Sequence, residues 1–426
     1  MINYFDYDYK APSANAKRPF NTNTTLTSCP WNADLQLLHI SLKGKEIEKD
    51  EIPPSNLVFL IDVSGSMNSA QKLPLLKSSF KLLTNQLRAE DRIAIVVYAG
   101  AAGCVLESTP GNERVKILDA LDGLNAGGST AGGAGIELAY KIAKKNFIKG
   151  GNNRVILATD GDFNVGTSGD KALVSLIENK RDDDIFLSIL GFGTGNYQDN
   201  KMQKIANAGN GNHNYISNMS EAKKVLMDEF GGTMFTIAKD VKIQIEFNPG
   251  VVESYRMVGY ENRVLAAEDF NDDKKDAGEM GAGHSVTVLY EIIPHGSKSS
   301  YSKAIDPLKY QEEMHVSIKN SAELGTIKYR YKTPTGLKSI KSEELISNTL
   351  VSWKDVNKNI QWSGLVAEWG LLLRNSKYAA HGNYGQLLDF MNDCLKDNTD
   401  PYREEMKNLV EIAHSLREPE SIAEKE

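Results

Sequence analysis

The chain has 426 residues, enough for about two or three domains, and its hydrophobic and charged fractions of 41% and 25% are typical of globular proteins. The net charge of −7, without a basic patch, excludes the class of protein that binds nucleic acid through a positive surface. No apolar run reaches the roughly 18–20 residues of a membrane-spanning helix, so we predict no transmembrane segment. Three widely spaced cysteines form neither a disulfide framework nor a zinc pattern.

Residues 1–53 are predicted to be an N-terminal extension. Residues 1–30 are rich in Pro, Asn and Thr and predict an irregular, extended lead-in. The mostly alternating apolar residues at 34–42 predict a strand. The dipeptide Pro53-Pro54 then marks a boundary.

Residues 54–237 predict an α/β domain, because strand and helix patterns alternate along them. Residues 57–61 are five apolar residues without alternation, which is typical of a strand buried on both faces of a parallel sheet. The alternation predicts a doubly wound, mostly parallel sheet with helices on both sides. The predicted strands are 56–61, 92–99, 153–159, 184–191 and 213–216, and the predicted helices are about 72–88, 111–122, 133–148, 169–180, 198–208 and 219–230.

The pattern changes after residue 238. Strict alternation at 241–247 indicates an antiparallel strand with one solvated face, and residues 238–355 therefore predict a small β-sandwich. We expect the strand at 34–42 to pair with this sandwich, so that the α/β domain is an insertion in it. Residues 356–426 predict a helical segment, with helices from about 360 and at about 401–416. The other predicted strands of the sandwich are 251–258, 285–293, 314–319 and 325–332.

Three segments bring oxygen-bearing side chains to the ends of predicted elements. Asp62-Val-Ser-Gly-Ser66 follows the first strand of the α/β domain, and Asp160-Gly follows another buried strand. Thr130 lies in a glycine-rich loop before a helix, and its distance from that helix favours it over Ser129. In open α/β sheets, ligands bind at the carboxyl ends of the strands. Carboxylate and hydroxyl oxygens suit a hard cation such as Mg2+. Taken alone, Asp62 also fits a strand-closing aspartate, and the two serines also fit helix caps.

Together, Asp62-x-Ser64-x-Ser66, Thr130 and Thr-Asp160-Gly resemble the metal-ion-dependent adhesion site of von Willebrand factor type A domains. The resemblance covers about residues 54–235. It implies that the three hydroxyls face a divalent cation, and that Asp62 and Asp160 bind it directly or through water. The set contains few anionic ligands, so the bound ion stays electrophilic and keeps an open position. We expect Mg2+, which prefers octahedral oxygen ligands and retains waters, with Mn2+ or Ca2+ as alternatives.

The flanks resemble a narrower family of bacterial, largely Gram-negative, type A proteins. The resemblance rests on the run from Ile2 to Tyr9, on Cys29-Pro-Trp-Asn, and on the segment from Asp272 to His284. Its members carry an export or lipoprotein signal upstream of the Asn-Tyr-Phe motif, and the sequence here lacks one. The resemblance implies a location in the cell envelope, as a periplasmic protein or as an outer-membrane lipoprotein.

Other candidate sites have weaker support. Asp162 and Asn164 lie beside the predicted cation site and fit turn residues. The acidic run from Asp272 to Glu279 fits a solvated hairpin loop better than a second cation site. We interpret His213 and His284 as structural. There is no GxxxxGK[ST] phosphate loop and no GxSxG elbow, and the serines lack an evident histidine base.

These patterns predict a non-enzymatic, divalent-cation-dependent recognition or adhesion module of the bacterial cell envelope. A partner protein would supply an Asp or Glu ligand to the metal. An accessory or regulatory subunit for an ATPase or a metal-inserting complex is the alternative, by analogy with type A domains of intracellular systems. We expect no nucleic-acid partner, and we expect the chain to be monomeric.

Overall fold

A computed structural model describes residues 1–13, 15–48, 51–128, 132–161, 163, 169–195, 197–228, 235–259, 270–271, 277–297, 322–334, 336, 338–379, 382–396, 398 and 400–417. Several predicted features lie outside these described residues: Ser129, Thr130, Asp162, Asn164, the aspartates of the acidic run at 272–276, and the strand at 314–319.

The chain divides into two compact units. The α/β unit comprises Glu46–Lys239 and Gly278–His284. The flanking unit comprises Met1–Lys45, Asp240–Ala277 and Ser285–Glu426. The flanking unit therefore combines the predicted N-terminal extension, sandwich and helical segment, which lie before and after the α/β unit in sequence.

The α/β unit contains one six-stranded sheet with helices on both faces, which confirms the predicted fold class. Numbered along the whole chain, the described strands of this unit are Ser55–Asp62 (β3), Arg92–Tyr98 (β4), Ala102–Pro110 (β5), Asn152–Thr159 (β6), Phe186–Phe192 (β7), His213–Ile216 (β8) and the short Gly278–Gly281 (β11). The strand order in the six-stranded sheet is β5-β4-β3-β6-β7-β8, and every neighbouring pair is parallel except β4 and β5. Its α-helices are Leu73–Thr84 (α1), Arg114–Asp122 (α2), Gly132–Lys145 (α3), Gly169–Asp182 (α4), Asp199–Ala208 (α5) and Met219–Lys223 (α6).

The central strand β3 explains the two helical layers. Leu57, Phe59 and Ile61 point into a core that includes side chains of α1. Val58 and Leu60 point into the opposite core, with side chains of α3. Alternate residues of a strand face opposite sides of a sheet, so an uninterrupted apolar run is required where both faces are covered.

Two predictions for this unit were incomplete. The antiparallel edge strand β5 was not predicted, because its exposed residues, including Cys104 and Val105, break the apolar pattern. The helix predicted at 219–230 is an α-helix only over Met219–Lys223 and continues as a π-helical turn over Lys224–Asp228.

The described strands of the flanking unit are Phe20–Ser28 (β1), Gln36–Gly44 (β2), Thr236–Phe247 (β9, of which residues 240–247 belong to this unit), Val252–Val258 (β10), Ser285–Pro294 (β12), Glu323–Lys332 (β13), Ile340–Ser347 (β14) and Leu350–Val351 (β15). Five of them form a sheet of order β10-β12-β2-β1-β15, and strands β9, β13 and β14 lie side by side in that order. Aromatic contacts join the two sets of strands: Phe20 packs on Tyr329, and Phe247 packs on Tyr290. The structure therefore confirms this part of the predicted fold class, a β-sandwich with a helical C-terminal segment.

Strand β2, which the alternating pattern at 34–42 predicted, pairs antiparallel with β12. The prediction of an irregular lead-in over residues 1–30 was wrong for β1, which pairs antiparallel with β2 along its whole length. Asn and Thr are the commonest residues of β1, and their low hydrophobicity concealed the strand.

Among the described residues of the flanking unit, three α-helices follow the strands: Lys358–Leu373 (α7), Tyr384–Leu395 (α8) and Pro401–Arg417 (α9). The middle one, α8, was not predicted. Together with residues near the N-terminus, the helices form one hydrophobic core around Trp362, Leu365 and Leu387. Within the described part of the chain, no helix is long and apolar enough to cross a membrane.

Candidate metal centre

The site begins at the carboxyl end of β3, where Asp62 is fully buried. Parallel pairing places Asp62 opposite Tyr98 of β4, and Ile61 opposite Ala158 of β6. Three groups donate to the Asp62 carboxylate. The Ser64 backbone N–H lies 2.8 Å from Oδ1, and the Tyr98 and Thr159 hydroxyls lie 3.2 and 3.4 Å from Oδ2. The two neighbouring strands and the loop after β3 therefore each contribute a hydrogen bond that orients this carboxylate.

The two serines lie on the loop that follows β3. The Ser64 and Ser66 hydroxyl oxygens are 3.0 Å apart; Ser64 is buried and Ser66 is exposed. A side chain that is buried beside another hydroxyl and a carboxylate forms part of a polar cluster rather than a solvated surface.

A second loop, residues 124–128, lies against the serine loop. The Gly127 N–H donates to the Val63 carbonyl at 2.7 Å, and the Gly65 N–H donates to the Gly128 carbonyl at 3.0 Å. Gly128 has φ of +83°, a conformation that favours glycine. These bonds bring the loop that leads to Thr130 next to the serines, although Thr130 itself lies outside the described residues.

Asp160 follows β6 and carries the second carboxylate of the site. It is buried, and its Oδ2 accepts a hydrogen bond of 2.8 Å from the Lys72 ammonium. The adjacent turn is held by the Gly161 N–H, which donates to the Thr159 hydroxyl at 3.1 Å. Thr159 therefore contacts both carboxylate-bearing segments.

Burial dominates the electrostatics of the site. It raises the pKa of Asp62, and the nearby negative charge of Asp160 raises it further, while hydrogen bonds from Ser64 and Tyr98 oppose the shift. Burial also raises the pKa of Tyr98, so this phenol stays protonated as a donor to Asp62. A bound cation would offset both the burial of Asp62 and its repulsion from Asp160.

The residues present fit a hard divalent cation. Every predicted donor is a carboxylate or hydroxyl oxygen, which is the ligand type that Mg2+ and Ca2+ prefer. Among the described residues, no group of three or more His, Cys, Asp or Glu side chains could hold a metal ion; the candidate site instead combines two carboxylates with hydroxyls. Such a set leaves the ion with few anionic ligands.

The structure brings together four of the five predicted ligands: Asp62, Ser64, Ser66 and Asp160. Sequence reasoning missed Tyr98, Thr159 and Lys72. The signal for Tyr98 was its position at the end of a strand next to β3. Thr159 was seen only as part of the Thr-Asp-Gly motif, and nothing in the local pattern of Lys72 indicates its contact with Asp160.

His213, which the sequence analysis interprets as structural, lies on β8. The His213 ring is stacked on Tyr197, and its Nε2 lies 2.5 Å from the Tyr197 hydroxyl. Burial lowers the pKa of His213. Tyr197 also packs on Gly161 and Gly191, where an added Cβ would lie 2.6 and 2.2 Å from its side chain. These contacts agree with a structural role for His213.

The fold and its polar edge define an α/β domain of the von Willebrand factor type A class, and the family model of that description matches residues 56–229. Two further family models match the flanks: "von Willebrand factor" at residues 1–39 and "Uncharacterized protein YfbK, C-terminal" at residues 232–416. The protein YfbK of Escherichia coli strain K12 is 42% identical over 422 residues, which are 98% of this chain and 72% of that protein. The chain belongs to the YfbK family of type A domain proteins.

Two other similarities are more distant. The magnesium-chelatase 60 kDa subunit of Rhodobacter capsulatus is 30% identical over 131 residues, which are 30% of this chain and 22% of that protein. A solved von Willebrand factor type A structure from Catenulispora acidiphila has a TM-score of 0.49 and 16% identity, and covers 93% of this chain and 90% of that one.

Proposed function

We propose that the α/β unit binds a partner protein through a divalent cation, Mg2+ by expectation, held at the carboxyl edge of the sheet. The partner supplies an Asp or Glu carboxylate to the open position of the ion. The observation that carries this proposal is the pair of hydroxyls at Ser64 and Ser66, 3.0 Å apart, beside a buried Asp62 carboxylate. A type A domain indicates protein–protein interaction, and the proposal assigns the interaction to this edge.

Each site residue has a distinct part in the proposal. Ser64 and Ser66 present hydroxyl oxygens to the ion, and Thr130 is proposed to add a third. Asp62 and Asp160 balance the positive charge, either directly or through water. The ion supplies an electrophilic position that attracts a carboxylate from outside the chain. Tyr98 and Thr159 orient Asp62 by donating to its Oδ2.

The proposal is for recognition without catalysis, at the bacterial cell envelope. The described groups that contact Asp62 are an amide, a phenol and a neutral hydroxyl, and none of them is a general base at neutral pH. The envelope location rests on the resemblance of the flanks. The proposed partner is therefore another protein of that compartment.

Calorimetry with Mg2+, Mn2+ and Ca2+ tests the cation site. We expect the wild type to bind, and Asp62→Ala and Ser64→Ala/Ser66→Ala to lose detectable binding while the circular dichroism spectrum is kept. Asp119→Ala removes an exposed carboxylate of α2 and is the matched control, expected to bind like the wild type. Unchanged affinity in the Asp62 and serine variants would contradict the proposal.

Partner capture tests the second half of the proposal. We expect a protein from envelope extracts to bind the immobilised wild type with Mg2+, to elute with EDTA, and to be absent from the double serine variant. A partner that binds equally well with EDTA would show that recognition does not use the metal.

The alternative candidate is an accessory or regulatory subunit for an ATPase or a metal-inserting complex. The similarity to a protein described as a magnesium-chelatase subunit favours it, although over only 131 residues. An ATPase that co-purifies with the tagged chain, and whose rate changes when the chain is removed, would support this alternative over adhesion.

A further inference from the structure

A positively charged side chain pairs with one of the two carboxylates of the candidate cation site. The Lys72 ammonium donates to Asp160 Oδ2 at 2.8 Å, and the side chains of the two residues are only 17% and 5% exposed. Surface ion pairs contribute little because water and salt screen them. This pair is largely shielded from solvent, so its charges interact more strongly.

Backbone hydrogen bonds and the space above Gly193 fix the position of Lys72. Its backbone is held on both sides, because the Lys72 N–H donates to the Ser69 carbonyl and the Lys72 carbonyl accepts from the Leu76 N–H. Its methylenes lie over Gly193, where an added Cβ would stand 2.4 Å from Cε and 2.5 Å from Cγ. Gly193 has φ of +77°, and its missing side chain makes the room in which the lysine lies. The backbone and methylenes of Lys72 are therefore held in place, and its ammonium extends from them to Asp160.

The two carboxylates of the site differ in the charge of the groups that donate hydrogen bonds to them. The groups described as donors to Asp62 are neutral: a backbone amide and two hydroxyls. Asp160 has a full positive charge beside it. With Lys72 in place, the formal charge of Asp62, Asp160 and Lys72 together is −1 rather than −2. A divalent cation that enters the site meets half of the net negative charge that the two aspartates alone would present.

We propose that Lys72 is an internal competitor for the divalent cation. Its ammonium and the metal ion are alternative partners of Asp160, so that ion binding displaces Lys72, and the cost of this displacement weakens the affinity for the ion. The inference rests on the proposed function, because it takes the carboxyl edge of the sheet as a cation site. It adds that a residue of this chain, Lys72, lowers the affinity of the site for the ion.

Calorimetric titration of Mg2+ and Mn2+ into Lys72→Met tests the proposal. Methionine keeps an unbranched apolar side chain to pack on Gly193 and removes the ammonium group with its charge and its hydrogen bond to Asp160. We expect the dissociation constant to fall about 10-fold or more, because one unit charge within a few ångströms of the ion is removed from a shielded site. Lys72→Gln, which is also neutral, is expected to tighten binding in the same direction and serves if Lys72→Met does not fold.

Lys81→Met is the matched control. Lys81 lies on helix α1, which begins directly after Lys72, and pairs with the exposed Asp122, so its substitution changes the net charge equally but away from the site. We expect it to bind the ion like the wild type. Equally tighter ion binding in the Lys72 and Lys81 variants would show that only the overall charge matters, and it would overturn the proposal. Unchanged or weaker ion binding in both Lys72 variants would also overturn it.

Displacement is measured separately by NMR of lysine ammonium groups in the full chain. We expect the Lys72 signal to be protected from solvent exchange without the ion and to lose that protection when Mg2+ is added. Persistent protection at saturating Mg2+ overturns the inference. These results are distinguishable from failure of the proposed function, in which the wild type and all lysine variants bind no divalent cation.

Discussion

At the scale of single residues, Glu368 of helix α7 is a buried carboxyl whose ionisation opposes folding. Burial raises the pKa of Glu368 from 4.5 to about 7, and a backbone hydrogen bond from Asn383 only partly opposes this shift. The folded chain therefore holds a proton that the unfolded chain releases between these two values. Stability is highest below the unfolded pKa and falls as pH rises through the folded pKa, by about 3 kcal/mol at most for this one group.

We expect Glu368→Gln to remove this pH dependence. The variant should match the wild type near pH 4.5 and exceed its free energy of unfolding above pH 7, because the amide never ionises. Urea unfolding at several pH values measures this. Glu405→Gln, which changes an exposed carboxyl of helix α9, is the control and should leave the difference between the two pH limits unchanged. The prediction fails if wild type and Glu368→Gln lose stability equally with rising pH.

At this scale, the sequence predicted which side chains lie close together where their chemistry and position coincide in a short motif. Asp62, Ser64 and Ser66 lie within five residues, and Asp160 follows a similar strand, so their meeting follows from the rule that parallel strands end at one edge. Tyr98 and Lys72 carry no such signal. Tyr98 reaches Asp62 through the register between β3 and β4, and Lys72 reaches Asp160 across 88 positions of sequence. Register and long-range packing are not encoded in a local pattern.

At the scale of secondary structure elements, the contact between helix α3 and the sheet positions the Asp62 carboxylate. Gly135 of α3 faces β4, and an added Cβ would stand 2.8 Å from the Cβ of Tyr98 and 3.2 Å from Leu60 Cδ1. We expect Gly135→Ala to gain about 1 kcal/mol of helix propensity but to lose about 1–3 kcal/mol to overpacking. The helix would have to move away from Tyr98, whose hydroxyl donates to Asp62.

Thermal and urea unfolding measure the net loss from Gly135→Ala, which we expect to be about 1 kcal/mol, within a range of about 0–2 kcal/mol. Gly103→Ala is the comparison, because an added Cβ on Gly103 meets nothing within 4 Å. Its effect should stay within about 0.5 kcal/mol. A Gly135 variant as stable as the Gly103 variant would show that α3 adjusts without cost.

Among the secondary structure elements, those with frequent and regular apolar positions were the ones that the sequence predicted. The five strands of the six-stranded sheet that pair in parallel (β3, β4, β6, β7 and β8) and the amphipathic helices α1 and α3 were predicted within a few residues, because their apolar positions are frequent and regular. The strands β1 and β5 were missed, because polar or exposed residues interrupt their apolar pattern and their stability comes from pairing with β2 and β4. A strand held by its neighbours needs less hydrophobic periodicity than one that covers a core.

At the scale of the whole molecule, the first and last parts of the chain share one hydrophobic core in the flanking unit. The Phe5 ring packs edge-to-face on Trp362 at a centroid distance of 5.8 Å, and both are buried. The Asn359 side chain donates to the Tyr7 carbonyl at 2.8 Å, and Arg403 donates to the Asp6 carbonyl at 3.0 Å. The sequence indicated the aromatic character of this segment but not its partner, since the two lie more than 350 positions apart.

This shared core makes the flanking unit dependent on residues at the opposite end of the chain from its helices. We expect Phe5→Ala to lower the free energy of unfolding of the flanking unit by about 3–5 kcal/mol, because it leaves a cavity against Trp362. Hydrogen exchange of α7 and α9 measures the loss within that unit, and Lys10→Ala, which changes an exposed side chain just beyond the buried segment, should leave their exchange unchanged. Unaltered protection of α7 in Phe5→Ala would mean that the helices form their core without the N-terminal segment, whereas faster exchange in both helices follows if the two ends of the chain fold as one cooperative unit.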